Sequence, residues 1–122
     1  MSDAIVLFAH GSRDPAWAAP FHALKALVET RKPGTRVELA FLERMHPTLD
    51  EAIDAAVAAR ALRVLVVPLF LAPGGHTTRD LPALLEAARA RHPALELRAT
   101  SSIGEEAGVL AALADWIVRA AA

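Results

Sequence analysis

The sequence predicts an α/β fold: a single doubly wound, four-stranded parallel sheet in the order 2-1-3-4, with helices on both faces. Three observations lead there. Strand-like and helix-like apolar patterns alternate along the whole chain as βαβαβαβα, the signature of a parallel sheet. The first and third strand-like runs are apolar throughout, so they belong in the middle of the sheet, buried on both faces. The second and fourth alternate in polarity and belong at its edges, and right-handed crossovers then leave 2-1-3-4 as the simplest order.

The first strand is read over residues 4–9, AIVLFA. A loop over 11–16 follows. From Trp17, the residues Phe21, Leu24, Leu27 and Val28 recur at helical spacing, and Lys32-Pro33-Gly34 stops that helix. Residues 37–42, VELAFL, read as a half-exposed strand because Glu38 lies between Val37 and Leu39. Thr48 with Glu51 three residues on is a capping box opening a helix through Leu49, Ile53, Ala56 and Val57. Residues 62–71 hold the densest apolar run, and Pro68, which cannot donate to a ladder, marks a bulge or the strand's end. Asp80 is read as the cap of a helix carrying Leu81, Leu84, Leu85 and Ala88, stopped by His92-Pro93. Residues 95–100, LELRAT, alternate again. Ser102 with Glu105 is a second possible capping box, before a last helix through Val109, Leu110, Leu113, Trp116 and Ile117.

Composition narrows the function. The 122 residues amount to one domain over 1–122, and 54% hydrophobic residues suffice for a core. Thirteen basic and fourteen acidic residues give a net charge of −1, which argues against a nucleic-acid partner. There is no cysteine, so disulfides and thiolate metal sites are excluded and any metal must be held by nitrogen and oxygen. Residues 1–10 have no basic leader region, and no apolar run approaches the ~20 residues of a membrane span. A cytoplasmic protein with no membrane partner is expected.

The chemistry-bearing residues gather behind three strands. In an open parallel sheet, ligands bind outside the carboxyl ends of the strands where strand order reverses, here between strands one and three. Strand one runs into Ala9-His10-Gly11-Ser12-Arg13, strand two into Leu42-Glu43-Arg44-Met45-His46, and strand three into Gly74-Gly75-His76-Thr77-Thr78-Arg79. His10 and His76 flank the switch point, with Glu43 on the same rim. The Gly74-Gly75 hinge is expected to turn the backbone tightly and aim His76 inward. Two imidazoles and a carboxylate suit a borderline divalent ion and leave positions open for water or substrate. Arg13, Arg44 and Arg79, one per loop, suit an anionic substrate, since guanidinium pairs bidentately with carboxylate or phosphate.

Each residue taken singly also has a structural reading. Glu43 can cap or pair with Arg44, Gly74-Gly75 can be an ordinary turn, and the three arginines can be solvated. His22 and His92 read as structural, one inside a helix and one at a helix C-terminus where imidazolium favours the dipole. His46 reads as local packing, Ser12, Asp14 and Thr77 as loop and cap residues, and Trp17 and Phe21 as core.

VLFAHGSRDP near the N-terminus, paired with VPLFLAPGGHTTRDLP after strand three, resembles the small class II chelatases. These are the short sirohydrochlorin cobaltochelatases with their ferrochelatase and nickel-chelatase relatives, and the resemblance covers essentially the whole chain. It implies a lyase that inserts a divalent metal, Co2+ first and Fe2+ or Ni2+ next, into a tetrapyrrole without nucleotide, on the cobalamin or siroheme route. It also implies a homodimer. The family's metal-site histidines fall on His10 and His76, and its acidic residue on Glu43. The chemistry agrees with the residue types: insertion needs exchangeable ligands and acceptors for two pyrrole protons, and histidine serves both ends. Rim arginines would orient the carboxylates of sirohydrochlorin. Two copies facing each other would enclose a ligand that one small domain cannot.

Three other readings compete. A metallohydrolase would use the same rim to activate water, though no HExxH cluster is present. A non-catalytic carrier would bind metal or tetrapyrrole without speeding insertion. A flavodoxin-like domain would take phosphate or a nucleotide, but no GxGxxG or P-loop follows strand one.

Overall fold

Apolar, β-branched runs favour extended backbone where a sheet is covered on both sides. Here they form β1 (Ser2–Ala9), β2 (Arg36–Phe41), β3 (Ala61–Pro68) and β4 (Glu96–Ala99), one parallel sheet in the order β2-β1-β3-β4. The computed structural model describes residues 2–72 and 74–122, and of residues 2 and 75–79 the backbone alone. The sequence-predicted topology is therefore the observed one. β1 and β3 lie at the centre, with Val6 in register with Glu38 on one side and Val66 on the other.

α2 (Leu49–Ala58) and α3 (Gly75–Arg91) cover one face of the sheet. Leu49, Ile53, Ala56, Leu85 and Ala88 pack there on Val6, Phe8, Val64 and Val66. On the other face α1 (Ala19–Arg31) lies over β2 and β1. Trp17 leads into it from a 3-10 turn, Pro15–Ala18, its ring 4.6 Å from Phe21 and 6.5 Å from Phe41. Trp17 and Phe21 are thus packing residues.

The Thr48–Glu51 capping box forms as the spacing requires, Thr48 Oγ1 accepting from the Glu51 N–H and the Glu51 carboxylate from the Thr48 N–H. β3 ends at Pro68. Four expectations are corrected. β2 is more buried than its alternation suggests, since α1 and α2 both pack on it and bury Leu39, Ala40 and Phe41. α3 begins at Gly75 rather than behind Asp80, and Pro82 sits two turns inside it. Proline near a polar residue reads as a helix start; here the helix instead absorbs it. The hinge at Gly74-Gly75 is also not as expected: Gly74 is the N-cap at an ordinary φ of −79°, with open space where a Cβ would stand. Finally, Ser102 makes no capping bond. The 3-10 turn Ile103–Glu105 follows it, because Gly104 is pressed onto β3's exit: its N–H donates to the Phe70 carbonyl at 3.1 Å, and a Cβ would meet the Leu71 carbonyl oxygen. α4 (Ala107–Ala120) starts only after Glu106.

α4 does not lie on the sheet. Among the described residues its substantial contacts are with that 3-10 turn alone, and Leu110, Leu113, Trp116 and Ile117 are exposed. Among the described residues no helix is long and apolar enough to cross a membrane.

Candidate functional site at the carboxyl rim of the sheet

Strand order reverses between β1 and β3, the position outside whose carboxyl ends open parallel sheets bind their ligands. His10 is the first residue beyond β1. The β1–β2 ladder continues past both strands: the Leu42 N–H donates to the Ala9 carbonyl at 2.9 Å and the Glu43 N–H to the His10 carbonyl at 3.1 Å. These bonds hold Glu43 beside His10. His10 Nε2 stands 3.7 Å from Glu43 Oε1, with about half of each side chain exposed (53% and 50%).

Gly11 makes the approach possible. Its φ is +98°, and a Cβ would stand 1.9 Å from the Glu43 carbonyl oxygen. Beyond Glu43, Arg44 takes a left-handed φ of 67° and turns the chain back. The Phe41 N–H donates to the Pro47 carbonyl at 2.9 Å, closing residues 42–47 into a loop on the rim.

At 3.7 Å the pair is too long for a hydrogen bond. His10 Nδ1 lies 3.3 Å from the Gly11 carbonyl. With the proton on Nδ1, the ring donates to that carbonyl and leaves the Nε2 lone pair on the side of Glu43. Two donor atoms on one tetrahedral ion, each ~2.0–2.2 Å from it, are about 3.4 Å apart. One ion can therefore bridge Nε2 and Oε1 after a small side-chain adjustment.

His76 lies in the first turn of α3, which leaves the carboxyl end of β3 beside β1. Its side chain, like that of Arg79, falls outside the described residues. Among the described residues no three His, Asp or Glu side chains converge as a metal cluster. Arg13 and Arg44 are exposed on the loops that carry His10 and Glu43. The structure thus joins His10 to Glu43, keeps two arginines near them, and puts the backbone of His76 on the same end of the sheet. Ser12 and Asp14 are loop residues: Ser12 Oγ accepts from the Asp14 N–H, and Asp14 Oδ1 caps the 3-10 turn through the Ala16 N–H.

One rim contact escaped the sequence reading. His46 Nδ1 lies 2.6 Å from Glu51 Oε1, the oxygen that also accepts from the Thr48 N–H at 2.8 Å. The Thr48 N–H, and after it His46, hold the Glu51 carboxyl below the usual carboxylate range. The available signal was the spacing His-Pro-Thr-x-x-Glu, which puts the imidazole just ahead of a capping box. His92, read as structural, bonds Asp54 on α2 at 2.7 Å.

The sequence profile of the CbiX family matches residues 4–120. The chain belongs to the CbiX family. It is 42% identical over 83 residues to the sirohydrochlorin cobaltochelatase of Methanocaldococcus jannaschii, a match covering 68% of this chain and 58% of that one. It is 40% identical over 81 residues to the sirohydrochlorin cobaltochelatase of Saccharolobus solfataricus, covering 66% and 62%. The matched region spans about three fifths of the length of these curated relatives. Among solved structures, the CbiX protein of Marinobacter aquaeolei VT8 superposes with a TM-score of 0.82 at 31% identity, over 96% of this chain and 95% of that one. The sirohydrochlorin chelatase SirB of Bacillus subtilis subspecies spizizenii, in complex with cobalt, superposes with a TM-score of 0.77 at 28% identity, over 87% of this chain and 45% of that one.

Proposed function

We propose that this CbiX-family chain inserts a divalent metal, cobalt before iron or nickel, into sirohydrochlorin without a nucleotide. The setting is cytoplasmic synthesis of cobalamin or siroheme. The observation that carries the reading is the His10–Glu43 pair, 3.7 Å apart on the switch-point rim, in a chain whose relatives are named sirohydrochlorin cobaltochelatases.

In this reading the metal is a substrate that must be gripped and then surrendered. His10 and His76 share metal binding and proton acceptance, and Glu43 serves as third ligand or as the base beside them. As the ion enters the macrocycle, two pyrrole N–H bonds break, their protons pass to rim side chains and then to water, and four nitrogens replace the protein's ligands. Nitrogen and oxygen donors without thiolate suit that exchange. Arg13, Arg44 and Arg79 pair with the carboxylates of the tetrapyrrole. The rim is open, with His10 and Glu43 half exposed, and ligand pockets normally bury most of their ligand. A homodimer with facing rims supplies the enclosure.

The test is anaerobic incubation with sirohydrochlorin and Co2+, Ni2+ or Fe2+, the absorbance spectrum being followed over time. Metal insertion faster than without protein, abolished by His76→Ala, is the expected result. Stoichiometric binding without acceleration makes the protein a carrier instead, and a wild-type rate in His76→Ala refutes the site assignment.

A further inference from the structure

A cavity of about 260 Å³ opens between α1, β2 and the rim loop that follows β2. Two imidazoles line it, His22 from α1 and His46 from the loop, and so does Met45. His10 and Glu43 do not line it. The charged groups on its wall are already balanced. Lys25 pairs with Glu29 at 3.2 Å, and Glu38 with Arg36 at 3.1 Å. The imidazoles are the groups left to take a ligand.

The two rings differ in how they are held. His46 is fixed. Its Nδ1 stands 2.6 Å from Glu51 Oε1, on the oxygen that also accepts from the Thr48 N–H. An ionised carboxylate only accepts, so the His46 proton is on Nδ1 and the lone pair on Nε2. The ring is 78% exposed, which leaves that lone pair within reach of a solute. A histidine that binds a metal ordinarily gives its other ring N–H to a carboxylate in this way, which sets the tautomer and strengthens the donor. His22 is exposed on α1 and makes no hydrogen bond or ion pair among the described residues. Neither of its ring nitrogens is committed, and its side chain can turn to meet an ion on His46.

We propose that this cavity is a second site for a divalent transition ion such as Co2+ or Ni2+, held by His46 Nε2 and His22. Imidazole suits such ions, and a thioether beside it favours the softer ones. Two imidazoles with water in the remaining positions form an open site, unlike the closed four-ligand shell of a structural metal. The ion is therefore exchangeable. The rim loop then carries a donor for each site, Glu43 beside His10 and His46 beside α1. This second site does not depend on the tetrapyrrole reading.

The test uses the untagged full chain and Co2+ alone, whose paramagnetism marks the rings it touches. Histidine ring resonances are followed during titration in wild type and in a His10→Ala/Glu43→Gln variant, with equilibrium dialysis in parallel. The expected result is that the His22 and His46 signals shift and broaden together in both proteins. His92, whose Nε2 is engaged by Asp54, stays unchanged. His22→Ala, at an exposed helix position, should weaken Co2+ binding in the double-variant background by at least about tenfold, as for a lost ligand. Glu51→Gln keeps an acceptor for the capping box and removes the charge behind His46, so binding there should fall about 10–100-fold. Signals of His22 and His46 that do not respond to Co2+ in the double variant overturn the site. So does a response of His46 alone, or unchanged binding in His22→Ala. Binding that persists at His22 and His46 while sirohydrochlorin is not metallated supports this site and removes the proposed reaction; the reverse pattern rejects the site and spares the reaction.

Discussion

Gly11 and Glu43 meet backbone to backbone: at φ +98°, a Cβ on Gly11 would stand 1.9 Å from the Glu43 carbonyl oxygen. Gly11→Ala must therefore push the two loops apart and hold a left-handed φ with a side chain. A loss of about 2–3 kcal/mol is expected from this kind of backbone strain. Thermal unfolding measures it, and cobalt insertion should fall in the same variant. An unchanged midpoint would mean that the loops do not need this contact.

Glu43→Gln keeps the shape of the side chain and removes its charge. Because Glu43 is half exposed and contributes to no core, stability should change by no more than about 0.5 kcal/mol. Cobalt insertion should drop on the order of 10²-fold, the scale of a lost proton acceptor or ligand. Steady-state rates with sirohydrochlorin, beside a chemical melt, separate the two effects, and a wild-type rate would take Glu43 out of the reaction.

Thr48→Ala removes the hydroxyl that accepts from the Glu51 N–H at 3.2 Å. The loss of one N-cap costs about 1 kcal/mol, read as a shift in urea midpoint at constant slope.

Stability should depend on pH through Asp54. His92 and Arg91, both at the end of α3, hydrogen-bond its carboxyl at 2.7 and 3.0 Å and hold it below its usual value of 3.8, His92 having the larger effect. A carboxyl whose folded-state value is depressed contributes in full above 3.8, and the contribution disappears as pH falls through the lower folded-state value. Asp54→Asn should therefore lower stability at pH 7 and flatten its decline in that acid window. Asp54 is half exposed (51%), so the effect is small. Urea midpoints at pH 7 and pH 3 for both proteins check it, and parallel curves would exclude the pairing.

Topology was legible because it rests on local pattern. The unbroken apolar runs of β1 and β3 and the Thr48–Glu51 spacing each carry their own physical cause, and the structure repeats them. The site was partly legible: His10 and Glu43 each follow a strand end, and a parallel sheet brings neighbouring strand ends together. What failed depended on competition between sites. Asp80 and Pro82 look like a helix start until Gly74 takes the cap first. Ser102 and Glu105 look like a capping box until Gly104 is drawn onto the Leu71 carbonyl. The Gly11–Glu43 contact lies between residues 32 apart in the chain, and no local pattern announces it. The amphipathic pattern of α4 says that it must be covered, and nothing in the pattern says by which chain.

The fastening between the His10 and Glu43 loops runs through peptide groups, Leu42 N–H to Ala9 and Glu43 N–H to His10. Side-chain identity at position 43 is thereby uncoupled from loop placement. Aspartate, histidine or glutamine installed there would start from the same backbone position, presenting a shorter carboxylate, an imidazole nitrogen or a neutral amide oxygen. Preference among ions could then drift by single replacements while the scaffold beneath stays put.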